Sequence, residues 1–490
     1  MKKNIASICF LLIGLLFLSR CKEDTGNYDY IQLPAFSIDT AGTGVLLAEQ
    51  SSILSISPKI NFEGKSETLS FLWRIYLQTG RGVIDTLSSK RDLAEPIARN
   101  PGLYMVELQV KESVHGITEV AVYPLEIIEQ DALPAGLLVF EQTGAVTDLS
   151  LISSPTFISG NGVSERVIHE LLQTYNLESL TGVPIQVQQK GREVILLTSD
   201  DMLSVGVSSF KINRHFAQFF FNAADAPSVV DPRWAITNGK AFVNGKDVYR
   251  GAGTLFNAKI ILQDGKGYEA APYLVASSYN DFFYDQLNGR YVLMTEGSII
   301  GQPFTKKGDK SLFSPERTER KMLLGARGYP VVSDYYDEII LSSWGVFGDQ
   351  VAGDRRYLMA LNEGSGPLAN VDISNAPDIQ TAKLLRVGDK NSFCLYSNGG
   401  AIRHIQVDMV SGTSATYSDA GFAPANGEII TAMEIVKPGN TLLFVATWNE
   451  ASKEGKLHLV RMNEVSGKLS TVINTWTGFG KIQAMGLKTL

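Results

Sequence analysis

Asp281-Phe-Phe-Tyr-Asp-Gln-Leu-Asn288-Gly289-Arg-Tyr-Val-Leu-Met294 is the stretch that decides the fold, because two apolar, aromatic-rich runs face each other across an Asn-Gly pair. Asn-Gly supplies the two left-handed residues that a type I′ turn needs, so the stretch reads as a tight antiparallel hairpin. The signal recurs outward in both directions. Ile236 and residues 241–243 flank Asn238-Gly239, Val243 and Val248 flank Asn244-Gly245, and Phe393-Cys-Leu-Tyr meets Ile402-Arg-His-Ile across Asn398-Gly399. Lys190-Gly191 likewise joins residues 185–188 to residues 194–198. Antiparallel sheet is the consequence, and its edges must be closed or covered. From residue 136 to residue 490 there are about 355 residues, which at ~45 to 50 per four-stranded blade give seven or eight blades. A β-propeller is the simplest closed architecture, with Gly136-Leu-Leu-Val-Phe-Glu, Glu193-Val-Ile-Leu-Leu, Tyr273-Leu-Val-Ala, Glu338-Ile-Ile-Leu-Ser, Asn391-Ser-Phe-Cys-Leu-Tyr and Thr441-Leu-Leu-Phe-Val-Ala-Thr-Trp as equivalent strands. A second pair of β-sandwiches is the rival.

Residues 35–130 carry a different pattern. Phe71, Trp73 and Ile75 share one face of a strand, and Tyr104, Val106, Leu108 and Val110 share another after Pro101-Gly102. Several short strands within about 100 residues point to a small β-sandwich with a buried tryptophan. Asp131 and Pro134 mark the boundary between the two regions. Two interruptions of the later hairpins read as helical: residues 164–175, with Val167, Ile168, Leu171 and Leu172 on one face and Ser164 as N-cap, and the charged insertion 311–324.

The start of the chain addresses it. Lys2 and Lys3 precede fourteen apolar residues, Ile5 to Leu18, which is the length of a signal-peptide core and short of the roughly 20 that span a bilayer. Residues 1–20 are expected to be removed, leaving Cys21 as the site of lipidation and residues 21–34 as a tether. The 470 remaining residues carry a charge of about −10, against −7 for the whole chain. An acidic surface disfavours phosphate backbones and argues against nucleic acid as a partner. Beyond Cys21 the chain has one cysteine, Cys394, so no intramolecular disulfide is expected in the mature protein.

Sequence motifs for chemistry are sparse. There is no His-Glu-x-x-His, Gly-x-Ser-x-Gly, P-loop or zinc-spaced cysteine pair, and the five histidines, His115, His169, His215, His404 and His458, are scattered. No metal and no cofactor are expected. Asp200-Asp201 and the run Ser333-Asp-Tyr-Tyr-Asp-Glu338 would serve glycosidase chemistry only if folding set two carboxylates about 5 to 10 Å apart. Aromatic clusters are the better lead: Tyr279, Phe282, Phe283 and Tyr284 around one hairpin, and Tyr335, Tyr336 and Trp344 around another. Flat rings with a polar tip stack on sugars or pack on peptide side chains, so Tyr284, Tyr335, Tyr336 and Trp344 are taken as ligand-contact candidates.

The string Cys21-Lys-Glu-Asp-Thr-Gly-Asn-Tyr-Asp-Tyr30 resembles the opening of the PKD-like lipoprotein family, and Lys22, Glu23 and Asp24 resemble the surface-export signal of lipoproteins in the Bacteroides group. Phe71-Leu-Trp-Arg-Ile-Tyr is similar to the tryptophan strand of PKD and immunoglobulin-like modules, and Gly102-Leu-Tyr-Met-Val-Glu-Leu-Gln-Val to their Gly-x-Tyr-x-Val-x-Leu-x-Val strand, although residues 78–82 replace the aspartate-glycine turn of closer PKD domains. The resemblance implies an all-β chain with an immunoglobulin/PKD-like sandwich before a propeller, seven blades favoured over eight. It also implies a lipid-anchored outer-membrane protein facing the cell exterior, an accessory subunit of a SusC/SusD-type importer that binds glycan or peptide or docks on the transporter, without catalysis. A surface hydrolase or lyase on the same scaffold is the alternative.

Overall fold

The computed structural model describes residues 33–489, apart from 41–43, 51, 80–83, 129–132, 160–162, 236–240, 253–254, 277–279, 296–297, 306–311, 333–338, 352 and 437–438. The chain divides into two compact units, one ending at Gln130 and one beginning at Asp131.

In the first unit a five-stranded sheet runs in the order Leu46–Glu49, Thr118–Ile128, Gly102–Glu112, Leu69–Leu77, Asp85–Ser88, with the first pair parallel and the others antiparallel. Phe71 lies opposite Val110, Trp73 opposite Leu108 and Ile75 opposite Val106, so the two apolar faces expected from the sequence pair residue for residue. Two short ladders, Phe36–Asp39 with Lys59–Phe62 and Ile53–Ile56 with Leu93–Pro96, pack side chains into the same core. Trp73 is fully buried there, and its indole N–H donates to the carbonyls of Lys90 and Arg91. The ring fills the core, and a buried indole needs such a partner.

The described residues of the second unit form seven antiparallel-rich sheets of four or five strands. One edge of each sheet is, in chain order, Pro184–Lys190, Pro232–Ala235, Ala270–Ala276, Arg320–Val332, Leu384–Val387, Glu428–Ile435 and Lys481–Lys488. Each of these strands touches the next, and the last touches the first, which makes the unit propeller-like. The final strand belongs to the sheet that opens the unit: Lys481–Lys488 pairs with Gly136–Thr143, beside Val146–Ser153 and Arg166–Ile168. Both faces of a sheet are covered by neighbours. Phe283 enters a core shared with Val243 and Leu274, whereas Phe282 and Tyr284 on the opposite face join Tyr291, Met322 and Phe347. Burial on both faces explains why these strands read as continuous apolar runs. Where the edge strands crowd, glycine makes room: a Cβ at Gly486 would lie 2.5 Å from the Val187 carbonyl oxygen, and one at Gly325 would lie 2.5 Å from the Tyr273 ring.

Hairpins occur at Lys190-Gly191, Asn244-Gly245, Asn288-Gly289 and Asn398-Gly399, but they are not type I′. Asn244 pairs with Asp247, so the turn residues are Gly245 and Lys246, and only the glycine, at φ +57°, is left-handed. Asn244 instead uses its amide to accept from Asp231 N–H and donate to Val229 C=O. At 288–289 the closing pair is Asp285 with Arg290, leaving a four-residue loop whose Leu287 and Asn288 N–H groups donate to the Asp285 carboxylate. These side-chain bonds select the loops. Asn238-Gly239 lies outside the described residues.

Both helical expectations are corrected. Arg166–Ile168 is an edge strand, with Val167 and Ile168 sent to different cores by the period of two; the helix is only Leu171–Asn176. Its cap is not Ser164 but Asp148 on a neighbouring strand, whose carboxylate accepts from Leu172 and Gln173 N–H. In the insertion 311–324, residues 312–319 are turn or irregular and Arg320 opens a thirteen-residue strand.

Candidate functional site

The ring of edge strands encloses a cavity of about 300 Å³ to which all seven contribute. Its polar lining includes Gln186, Gln188, Arg327, Arg386, Glu434 and Gln483, and Trp234 supplies an aromatic wall. Arg386 Nε lies 3.1 Å from a Glu434 carboxylate oxygen, so this pair neutralises itself. Arg327 is half-buried and, among the described residues, makes no hydrogen bond and no ion pair within 4 Å. Burial pulls its guanidinium pKa down, while Asp389 and Glu434 act on it from farther away in the opposite sense. Gln483 presents a buried side-chain oxygen with no hydrogen-bond partner among the described residues.

At the end where Pro184, Leu384, Glu428 and Lys481 begin their strands, a pocket of about 630 Å³ has Gln483 in common with the lining of the cavity. Lys383 and Lys481 line it together with residues 398–400. Its acid, Glu428, is held by Lys456 at 2.8 Å. An acidic chain thus has a pocket lined by two lysines here, an arrangement that attracts anions.

A second cavity of about 260 Å³ lies beside the joint between the first and last strands of the unit and includes Glu141, Asp148, His169 and Glu170. The Glu141 carboxylate accepts from Ser150 Oγ and, at 2.5 Å, from Gly480 N–H. His169 Nδ1 lies 3.1 Å from the same Ser150 Oγ and 4.0 Å from Glu141. Serine and carboxylate therefore meet the same ring nitrogen, whereas a hydrolytic triad sets them on opposite ones. Burial pushes the Asp148 carboxyl up, although three backbone N–H groups pull the other way.

The nearby Glu141 carboxylate raises the His169 pKa against the opposing effect of burial. A histidine raised on folding contributes its stabilisation in full below the unfolded pKa of about 6.5, and loses it as pH climbs through the higher folded value. The stability gap between the wild type and His169→Phe is expected to be widest near pH 5.5 and to narrow toward pH 8.5. With the ring 42% exposed, the change is a fraction of a kcal/mol, in the range of about 0.2–1 for solvated pairs. Urea midpoints across that range check it, and a gap that widens with pH would contradict the pairing.

Of the residues singled out by sequence, Tyr284 and Trp344 are corrected: they are 1% and 0% exposed and fill cores between adjacent sheets. The Tyr284 hydroxyl is bonded to Thr318 and to the Arg320 carbonyl. Phe282 and Phe283 are buried with it. Tyr279, Tyr335, Tyr336, Asp334 and Asp337, like Cys21, Lys22, Glu23 and Asp24, lie outside the described residues. Asp201 caps the turn before Met202, and Asp200 accepts from Ser199 Oγ. The histidines stay apart: His115 meets Glu112, His458 lies between Thr447 and Thr475, and His404 is buried, with its pKa pushed down by that burial to about 4. Among the described residues no three histidine, cysteine or acidic side chains converge as a metal site. Trp234, Arg327 and Gln483 were not singled out by sequence; polar residues at alternate positions in Ile185-Gln-Val-Gln188 and Lys481-Ile-Gln483 were the available signal.

The profile of the PKD-like family matches residues 21–184, about a third of the chain. No curated protein matches. Among solved structures the chain is similar to a quinonprotein alcohol dehydrogenase-like protein from Bacteroides thetaiotaomicron, at 12% identity over 94% of this chain and 99% of that one, with a TM-score of 0.40. It is also similar to the extracellular domain of a one-component system from the same organism, at 9% identity over 90% and 59%, with a TM-score of 0.39. The β-propeller domain of Cps50 (Swd1) from Myceliophteria thermophila matches at 12% identity over 63% and 91%, with a TM-score of 0.35. No helix among the described residues is long and apolar enough to cross a membrane.

Proposed function

We propose that this chain is a non-catalytic binding protein of the cell exterior, lipid-anchored at Cys21, in which the seven sheets are the blades of a closed propeller and the channel between them takes a small polar ligand. One observation carries the binding reading: a cavity of about 300 Å³ lined by all seven edge strands. The neighbouring pocket with two lysines, which shares Gln483 with it, is taken as its mouth. That volume lies at the lower end of the ~300–1,000 Å³ of small-molecule sites, which have a few convergent polar groups among apolar walls. Closure is supported by the circular succession of strand contacts and by cores shared between each sheet and the next. Anchoring and export rest on Cys21 to Asp24, and association with a SusC/SusD-type importer rests on the resemblance of residues 21–30 and on the family match. A lipid tether raises effective concentration near a transporter, so modest affinity suffices for capture.

The test is recovery of the native lipidated protein from detergent-solubilised outer membrane, with mass spectrometry of what remains bound. SusC- and SusD-type partners are the expected result; recovery of the protein alone would remove the importer role and leave only the binding module.

A further inference from the structure

The geometry points to a sugar acid as the ligand of the channel: a small carboxylate held by Arg327, with a hydroxyl donating to Gln483 and a C–H face against Trp234. This inference rests on the channel being a binding site and adds the chemical class. It starts from two polar groups in the cavity lining, Arg327 and Gln483. Arg327 is a half-buried cation lining the cavity without an ion pair within 4 Å among the described residues, whereas the neighbouring Arg386 is already matched by Glu434. A desolvated guanidinium is costly unless an anion meets it, and its planar fork suits a carboxylate bidentately.

Gln483 narrows the class. It stands on Lys481–Lys488, three strands around the ring from Arg327 on Arg320–Val332, and both side chains line the same cavity. Its buried oxygen has no donor among the described residues, so the complementary ligand brings an O–H or N–H as well as its charge. Trp234, half-buried in the same wall, offers a flat apolar face of the kind that packs on the C–H side of a sugar ring. Lys383 and Lys481 at the mouth favour entry of anions over neutral sugars.

Calorimetric titration of the full chain with galacturonic acid, galactose and glycylglycine tests this, with tryptophan emission read in parallel and Trp234→Phe as the control for position. Galacturonic acid is expected to bind about 10- to 100-fold more tightly than galactose, the worth of a charge-assisted hydrogen-bonded pair. Arg327→Gln should abolish that preference, bringing the acid down to the affinity of galactose measured on the same variant, and Trp234→Phe should remove the emission change. Equal affinity for the two sugars, preference for the dipeptide, or an Arg327→Gln protein that keeps the acid preference would each overturn the sugar-acid class while leaving the channel as a site. If none of the three binds the wild type, the channel reading falls with it. Because the ligand comparison is made on the wild type, the class stays testable even if Arg327→Gln fails to fold.

Discussion

Removal of residues 481–490 is expected to abolish the cooperative unfolding transition of the second unit while the first unit keeps its own. The strand Lys481–Lys488 completes the first sheet of the unit, with Leu487 opposite Leu137 and Met485 opposite Val139. It buries Ile482, Ala484 and Met485 in cores on both sides, and contacts the edge strands Pro184–Lys190 and Glu428–Ile435. Lys488 is 1% exposed, and its ammonium donates to the Leu133 and Pro134 carbonyls, tying the end of the chain to the start of the unit. Ile482 and Met485 at ~1.5–3 kcal/mol each, with a smaller share from Ala484, already amount to a large fraction of the stability of a domain, about 5–15 kcal/mol. Truncation also exposes the unpaired ladder of Gly136–Thr143, a template for aggregation. Thermal unfolding of the full and truncated chains checks the expectation, and added peptide 481–490 should restore the lost transition. A truncated protein that retains both transitions would show that the ring does not depend on this strand.

The propeller-like succession of sheets was partly legible in the sequence. Hairpins at residues 244–245, 288–289 and 398–399 were found because apolar runs and glycines are local signals, and the two faces around Trp73 paired as the period of two requires. Turn type was misread because it depends on where Asn244 and Asp285 place their side-chain hydrogen bonds, which involve Asp231, Val229 and Arg290. Tyr284 and Trp344 were misassigned for a different reason. In a sheet buried on both faces, aromatic residues on either side are core, and no pattern along one strand separates them from a binding surface. The cavity was invisible because Arg327, Gln483 and Trp234 come from strands far apart in sequence, and only the circular succession of edge strands brings them together.

Arg250→Ala is expected to destabilise the second unit by about 3–5 kcal/mol, the usual cost of breaking one partner out of a buried ion pair. Arg250 Nε donates to Asp281 at 3.1 Å, with the two side chains 3% and 7% exposed. Its Nη1 donates to the Thr295 carbonyl, so the guanidinium bonds two strands of the next sheet, Asn280–Asp285 and Arg290–Thr295, from its own strand Asp247–Ala252. The truncation strips the buried carboxylate of this cation and removes the tie between sheets together. Asp281→Asn should cost a comparable amount, because the amide oxygen still accepts from Arg250 but leaves a buried guanidinium that cannot shed its proton without a counter-charge. Replacing both residues with Met and Leu separates attraction from desolvation: if burial cost nearly cancels the Coulombic gain, the double variant should recover most of the stability lost by Arg250→Ala. Urea denaturation of the four proteins measures this. An Arg250→Ala loss below about 1 kcal/mol, the range of surface pairs, would mean that water reaches the site and the pair is not buried as its geometry requires.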